Sequence, residues 1–448
     1  MTALLKTHTL GCKVNQYETQ YLRECLLDIG YAEAESEQPA DLCIVNTCTV
    51  TAEGDRKSRQ IIRRLNRQNP GARIVVMGCY ATREPGAVAR LPGVSDVITN
   101  KRELPDLLGR FGVADIPSGI SGMSGRHRAW VKVQDGCLLR CSYCIIPHVR
   151  PDMYSRSPAD ILDEVQRLAG RGYREIVLTG IHLGHYGVDF NRNKPKTDWI
   201  RLAGLVREIC QQVPEIRVRL SSIEATEVTG ELIEVMAEYP DRLCPHLHVC
   251  LQSGSDPVLR RMRRRWSVRQ IIDRCLRVRD RLDNPALTTD VIVGFPGETD
   301  TDFEATLAAC RTIGFSKIHM FPFSARRGTA AAEMPDQVDP EIRIQRGEAV
   351  RQCETELRSR YASSLLGQRL DVLVENLQPG DGLAGGTACR YLPVDIDYRG
   401  HSADFPATTG SVVSVQAVAT TATGLLARPS SDQSSGQEQS GNPLTRWH

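Results

Sequence analysis

Short apolar runs separated by stretches of helical period set the rhythm of the first hundred or so residues. Strands are predicted at 5–10, 42–46, 73–77 and 94–98, with amphipathic helices between them, for example over 16–29 and 56–68. Alternation of this kind predicts an open α/β sheet. Residues 112–127 (GVADIPSGISGMSGRH) are rich in Gly, Ser and Pro and read as a linker. From 129 the rhythm restarts with a longer period. Strands are predicted at 129–135, 175–180, 216–222, 246–253, 287–294 and 316–323, and helices at 158–170, 199–212, 227–239, 257–281 and 300–313. Six such units predict a partial (β/α)6 barrel, whose chemistry belongs at the carboxyl ends of its strands. A charged helix follows at 341–362. Beyond it the chain is Gly-rich and alternates at 370–376, 391–397 and 411–418, which predicts a small antiparallel β-barrel of five strands. The expected division is an α/β domain over 1–111, a linker over 112–127, the partial barrel over 128–362 and the small barrel over 363–428. The low-complexity end, 429–448, is expected to be disordered.

Composition narrows the picture. Of 448 residues, 41% are hydrophobic and 25% charged, ordinary for a globular chain. No apolar run is long enough for a membrane span, and the opening MTALLKTHTLGCKVN has no signal-peptide core, so a cytoplasmic location is expected. The net charge of +2 neither demands nor forbids nucleic acid. The fifteen cysteines are the anomaly. In a reducing compartment an organised subset points to metal ligation or catalysis before disulfides.

Two subsets are organised. Cys137, Cys141 and Cys144 fall in DGCLLRCSYCIIP with the spacing C-x3-C-x2-C, in the loop directly after the first barrel strand. Three thiolates there can face one point and leave a four-iron cluster with one iron free of protein ligands. A zinc knuckle with a distant fourth ligand is the alternative. Cys12, Cys48 and Cys79 are far apart in sequence, but each lies one or two residues past a predicted strand of the first sheet (HTLGC, VNTC, VVMGC). Strand ends of one open sheet share an edge where ligand sites form. The other nine cysteines read as core residues; among them Cys250 stands out, because it precedes Gln252 at a barrel-strand end.

C-x3-C-x2-C after the first strand of a partial barrel resembles the radical S-adenosylmethionine superfamily, and the two cysteine trios together resemble its methylthiotransferases. The resemblance covers roughly residues 3–427. It implies two 4Fe–4S clusters, the auxiliary one on Cys12, Cys48 and Cys79 and the radical one on Cys137, Cys141 and Cys144, and it implies a C-terminal TRAM barrel. It further implies two uses of S-adenosylmethionine. One supplies a methyl group to a sulfur on the auxiliary cluster; the other gives a 5′-deoxyadenosyl radical. Cofactor contacts are implied near Tyr143, Thr179, Gly180 and Gly294, the last in GFPGET. The polar rim residues Glu224, Gln252, Ser253 and Asp290 are further cofactor-binding candidates.

Basic residues cluster at 56–67 and again at 260–269, where Arg260, Arg261, Arg263, Arg264 and Arg265 surround Met262 and precede Trp266. Such a segment suits a phosphate backbone, and these five arginines are the RNA-binding candidates. HTLGCKVNQYET, NTCTVTAEGDRKSRQIIRR and LTGIHLGHYG resemble the threonylcarbamoyladenosine branch of the family rather than the isopentenyladenosine branch (GCQMN) or the ribosomal-protein branch (GCPKN). The implied reaction places a methylthio group on C2 of N6-threonylcarbamoyladenosine at position 37 of tRNA, beside the anticodon. The implied partners are the tRNA anticodon stem-loop and a reductase or flavodoxin-type electron donor. The rival readings are the isopentenyl substrate, a ribosomal-protein aspartate, and a non-catalytic zinc and RNA-binding protein. The chain departs from the family pattern at Pro151, where Gly is usual, and at Cys250, where Pro is expected.

Overall fold

The computed structural model describes residues 2–100, 103–399 and 408–430, so the low-complexity segment from 431 onward lies outside the described residues. The chain divides into two compact units, Met1–Tyr361 and Ala362–His448.

The first unit begins with a five-stranded parallel sheet in the order Ala32–Glu33, Leu4–Thr9, Leu42–Thr47, Arg73–Gly78, Val94–Val97. The two-residue strand Ala32–Glu33 is too short to show as a pattern. Period two divides the central strand between two cores. Leu42 and Ile44 pack with Leu22 and Leu26 of the helix Lys13–Asp28, and Cys43 and Val45 pack with Ile62 and Leu65 of the helix Ala52–Gln68. Burial on both faces is why these strands read as continuous apolar runs.

The partial barrel consists of two four-stranded pieces. One holds Tyr154–Ser155, Ala129–Asp135, Glu175–Gly180 and Arg217–Leu220; the other holds Ser222–Ile223, His246–Val249, Ala286–Val293 and Lys317–Pro322. An isolated bridge from Val218 to Leu243 links the two pieces. The helices following four of these strands begin at hydroxyl caps, with Ser157, Thr229, Ser267 and Thr299 each accepting a backbone N–H of the first turn. Each such cap contributes roughly 1 kcal/mol and sets where the chain leaves the rim. One expectation is corrected. The helix expected over 257–281 is two helices, Asp256–Arg261 and Val268–Arg281, because Arg263 adopts φ 58° while Arg264 and Trp266 turn inward. The segment 112–127 is strapped down: Ile120 is fully buried, its N–H donates to Glu164, and the N–H groups of Ser121 and Gly122 donate to Glu24.

The second unit is a closed barrel in the order Arg369–Gln378, Leu383–Ala388, Pro393–Asp397, Leu425–Pro429, Val412–Thr420. Its seams are antiparallel except that between Pro393–Asp397 and Leu425–Pro429, which is parallel. The expectation of an antiparallel barrel therefore needs one amendment. With an odd number of strands, alternating direction cannot continue all the way round, so at least one seam must be parallel. The closed five-stranded architecture is otherwise that of a TRAM-like domain.

Candidate active site between two cysteine trios

Cys12, Cys48 and Cys79 follow three adjacent strands of the first sheet, Leu4–Thr9, Leu42–Thr47 and Arg73–Gly78, and so share one carboxyl edge. Cys12 is the N-cap of the helix Lys13–Asp28, and Cys79 opens the short helix Cys79–Arg83. Gly78 turns the chain there at φ 98°, with the Thr47 carbonyl 2.3 Å from where a Cβ would stand. Only glycine fits that turn.

The second trio sits in the loop after Ala129–Asp135. Gly136 bends away at φ 77°, its Cβ position 2.2 Å from the Asp152 carbonyl. The loop is fastened from several sides. Cys137 N–H donates to the Arg150 carbonyl (3.3 Å), Ser142 N–H to Met262 (3.0 Å), and the Ser142 carbonyl accepts from Ala331 (2.8 Å). Two cations reach the thiols. Arg264 Nη1 stands 3.5 Å from Cys141 Sγ while its guanidinium forks onto Glu224 at 2.8 and 2.9 Å and lies over the Trp266 ring. His182 Nδ1 is 3.4 Å from Cys137 Sγ, and its Nε2 is 2.6 Å from Glu227. Burial lowers the pKa of this imidazole, but the hydrogen bonds to Cys137 and Glu227 override it and hold it at about 9, so the ring is cationic at neutral pH. His185 stacks on it at 3.7 Å.

The two trios share a wall. Cys79, Ile145 and Val149 form one apolar cluster, and the helix Cys79–Arg83 packs against Ile146–Val149. Arg150, at the end of the latter, donates to Asn15 (2.9 Å), Glu18 (2.9 and 3.0 Å) and Asp135 (2.8 Å). It thus ties the turn after Cys12 to the strand that delivers Cys137.

The thiols fit iron–sulfur ligation. Desolvation raises the pKa of Cys48, Cys141 and Cys144, the last to about 12. Such thiols stay protonated at neutral pH unless a metal centre replaces the proton. Hydrogen-bond donors on Cys137 and Cys141 are the outer partners that orient and tune ligands. Among the described residues, trios of metal-type side chains with all ligand atoms within 4.8 Å occur at His182–His185–Glu227 and His248–Cys250–Asp290, and neither cysteine trio draws in to that spacing.

The rim residues separate on inspection. Tyr143 meets Phe295 edge to face at 6.3 Å, next to Gly294, whose N–H donates to Glu298. Thr179 is buried, and Gly180 lies against Gln134, whose side chain also accepts the His182 N–H. Gln252 sits at φ 65°, its N–H on the Asp290 carbonyl and its own carbonyl accepting from Ile292. A non-glycine residue held there costs about 1–3 kcal/mol, and such strain gathers at functional sites. Asp290 is partly open to the barrel interior, 3.3 Å from His248. Ser253 is fully buried and bonded to Thr306 and Ser255. One candidate is corrected. Arg264 is the internal partner of Glu224 and Cys141 and so is not free for RNA, while Arg261 donates to the Gly297 carbonyl with its side chain still partly exposed. Arg260, Arg263 and Arg265 remain exposed. Asn15, Glu18, His182 and Glu227 did not stand out in the sequence, because their roles depend on contacts between distant segments.

An N-terminal sheet edge with three cysteines, set against a partial barrel with C-x3-C-x2-C on its first loop, defines a radical S-adenosylmethionine enzyme with a second cluster site. Comparison with known proteins agrees. The Radical SAM superfamily matches residues 131–310, and the uncharacterized protein family UPF0004 matches 5–100. The chain is 40% identical to a threonylcarbamoyladenosine tRNA methylthiotransferase of Bacillus subtilis, over 83% of this chain and 85% of that protein. It is 34% identical to a tRNA-2-methylthio-N(6)-dimethylallyladenosine synthase of Mycobacterium marinum, over 92% and 83%. In fold it is similar to the radical S-adenosylmethionine methyltransferase TsrM of Kitasatospora setae (TM-score 0.55, 16% identity, 74% of this chain and 75% of that one). The chain belongs to the radical S-adenosylmethionine methylthiotransferases, whose cofactors are S-adenosylmethionine and 4Fe–4S clusters. No helix among the described residues is long and apolar enough to cross a membrane.

Proposed function

We propose that this chain is a tRNA methylthiotransferase that exchanges the C2 hydrogen of N6-threonylcarbamoyladenosine, at position 37 beside the anticodon, for a methylthio group. The observation that carries the reading is the shared wall between the trios: Cys79 packs on Ile145 and Val149 of the segment that follows Cys144. Cys137, Cys141 and Cys144 would hold the radical cluster, and Cys12, Cys48 and Cys79 the auxiliary one. When bound, S-adenosylmethionine at the first supplies the 5′-deoxyadenosyl radical and, in a second use, the methyl group, with electrons from a reductase or flavodoxin-type donor. The chain's own part is placement. Tyr143, Thr179, Gly180 and Gly294 frame the cofactor, the Arg264–Glu224 pair fixes the Cys141 side, and Phe295 with Phe323 shields it from water.

Support for RNA comes from the surface as well. Arg63, Arg64 and Arg67 are exposed on one helix beside a groove lined also by Lys57, Gln60 and Ile61. Exposed guanidinium groups in a row suit a phosphate backbone. The anticodon loop offers splayed bases, which are what a deep site can read. A tRNA substrate and reduced thiols together imply a cytoplasmic location.

The test is nucleoside mass spectrometry. Anaerobically reconstituted protein is incubated with S-adenosylmethionine, reductant, sulfide and tRNA carrying threonylcarbamoyladenosine, and the tRNA is then digested. The 2-methylthio nucleoside is expected, and Cys141→Ala should abolish it. Product only from isopentenyladenosine tRNA would instead favour the second reading, which the 34% identity to the Mycobacterium marinum synthase keeps open. Formation of 5′-deoxyadenosine with neither tRNA product would move the substrate to a protein target; absence of 5′-deoxyadenosine as well, in protein holding two four-iron clusters, would overturn the enzymatic reading.

A further inference from the structure

His246, His248 and Cys250 alternate along and just past the strand His246–Val249, so period two puts them on one side of the sheet. The intervening Leu247, Val249 and Leu251 enter the hydrophobic core on the other side. The register carries the first side across two neighbouring strands. His248 pairs with Thr288, and Asp290, two residues on, pairs with His319. Leu287, Val291 and Val293 of the middle strand again enter the core. His248, Cys250, Asp290 and His319 therefore share the inner side of the partial barrel.

Three of these groups converge. One ligand atom each from His248, Cys250 and Asp290 lies within 4.8 Å of the other two. Tetrahedral donors at about 2.0–2.3 Å from a zinc ion stand roughly 3.3–3.8 Å apart, so a small side-chain adjustment closes the trio on one. Asp290, its side chain 28% exposed, has room to make it. The imidazole is already oriented. His248 is only 9% exposed, and Thr288 Oγ1 stands 3.0 Å from its Nδ1 and 3.2 Å from Nε2 of His246. A hydroxyl has one proton. With Nδ1–H of His248 donating to that oxygen and the hydroxyl proton passed on to His246, the lone pair of His248 lies on Nε2. That nitrogen is buried, makes no hydrogen bond, and stands 3.3 Å from Asp290 Oδ2. An anchored second nitrogen is the usual arrangement behind a metal-bound imidazole. The other close trio differs. His182 has Nδ1 against Cys137 and Nε2 against Glu227 and is cationic at neutral pH, so it offers no lone pair.

We propose that His248, Cys250 and Asp290 form a mononuclear zinc site on the inner side of the partial barrel, made without any residue of either cysteine trio. Asp290, a cofactor candidate by resemblance, is thereby assigned to the metal. One nitrogen, one sulfur and one oxygen donor suit zinc among the divalent cations. A thiolate, a carboxylate and a neutral imidazole also balance its two charges, which offsets the cost of burying any of them alone. Binding replaces the Cys250 thiol proton, which leaves to solvent, and no electron moves. Proline, expected at 250 from the family pattern, has no side-chain donor, so the set is completed where this chain departs from that pattern. Three protein ligands leave the fourth position open beside His319, whose ring lies 5.7 Å from that of His248.

The test uses the full chain with both clusters reconstituted anaerobically and verified by iron content. Zinc sulfate is added at one equivalent, loosely held metal is removed by desalting, and zinc per chain is measured by mass spectrometry. Absorption at the zinc edge then reads the ligand shell without interference from iron. Retention of about one zinc per chain is expected, with a single sulfur at about 2.3 Å and nitrogen or oxygen at about 2.0–2.2 Å. Cys250→Ala should lose the sulfur shell and most of the zinc while keeping its iron. Thr288→Val, which removes only the anchor of the ring, should weaken zinc binding by about 10- to 100-fold. The unmodified protein alone decides against the site if it retains no zinc, if the shell holds no sulfur, as at His182, His185 and Glu227, or if it holds three sulfurs, as at a cysteine trio. A single-sulfur shell that survives in Cys250→Ala overturns it as well.

Discussion

Arg264 lies between a carboxylate and a cysteine thiol. Its guanidinium forks onto Glu224, reaches Cys141 Sγ at 3.5 Å and is covered by Trp266. Removing it would leave Glu224 buried without its cation and facing the thiolates. Arg264→Met is therefore expected to destabilise the protein by about 3–5 kcal/mol, the usual effect of breaking one side of a buried pair. Urea unfolding of the iron-free protein followed by circular dichroism measures it. Adding Glu224→Leu should recover part of the loss; equal losses in single and double variants would mean that packing on Trp266, not the charge pair, is responsible. At this scale the sequence was informative where chemistry is carried by spacing. The spacing C-x3-C-x2-C singled out Cys137, Cys141 and Cys144 as candidate ligands, and Cys12, Cys48 and Cys79 became candidates because each follows a strand. It was misleading where chemistry is decided by burial. Six arginines in ten residues look like one solvated run, yet Arg264 is turned inward and Arg260 outward, and nothing local separates them.

Glu175 has a comparable place among the elements. It opens the second barrel strand, fully buried, and carries Arg217 and Arg219 from the neighbouring strand and Arg128 from the segment just before the first. One carboxylate thereby stitches three strand beginnings together at the end of the barrel opposite the cysteines. Burial alone would raise its pKa, but Arg219, Arg217 and Arg128 outweigh burial and hold it far below its ordinary 4.5. For a depressed carboxyl the linked stability is present above the unfolded-state value and lost as pH falls below it. The unfolding midpoint should thus be flat through neutrality and decline once pH drops under about 4.5. Glu175→Gln should be less stable by about 3–5 kcal/mol at neutral pH and lose that part of the acid decline. Thermal unfolding across pH, with the two proteins compared, checks both. Parallel acid curves would show that other carboxylates dominate. Most elements were legible, because strands buried on both faces give unbroken apolar runs and barrel helices begin at Ser and Thr caps. The exception was the helix expected over 257–281. Its period continues across Met262–Trp266, and only the S-x-x-Q capping box formed by Ser267 and Gln270 marks a new start.

What the sequence could not show was how the two cysteine trios come to face each other. Their alignment depends on residues that look unremarkable one at a time. Arg150 joins Asn15 and Glu18 of the first helix to Asp135 of the first barrel strand, and Lys132 bonds to Glu18 from the same strand. Farther along, Arg326 after the last barrel strand donates to Thr49 and Asp55 beside Cys48. These links run between segments more than a hundred residues apart, so no local pattern encodes them. They also separate two properties of the enzyme. On the proposed cluster assignment, radical formation would need only the barrel's own trio, whereas methylthio transfer would need the second trio at the correct distance. Arg150→Met removes the side-chain link but keeps the carbonyl that accepts from Cys137. Iron content and 5′-deoxyadenosine formation should therefore persist, while methylthio product per 5′-deoxyadenosine falls by about 10- to 100-fold, since a misplacement of about 1 Å has that effect on a reacting pair. Quantifying both nucleosides from the same reaction decides it. If the two fall in proportion, Arg150 serves the radical loop alone; if the ratio falls, the interlock is what turns a radical barrel and a cluster-bearing sheet into one transferase.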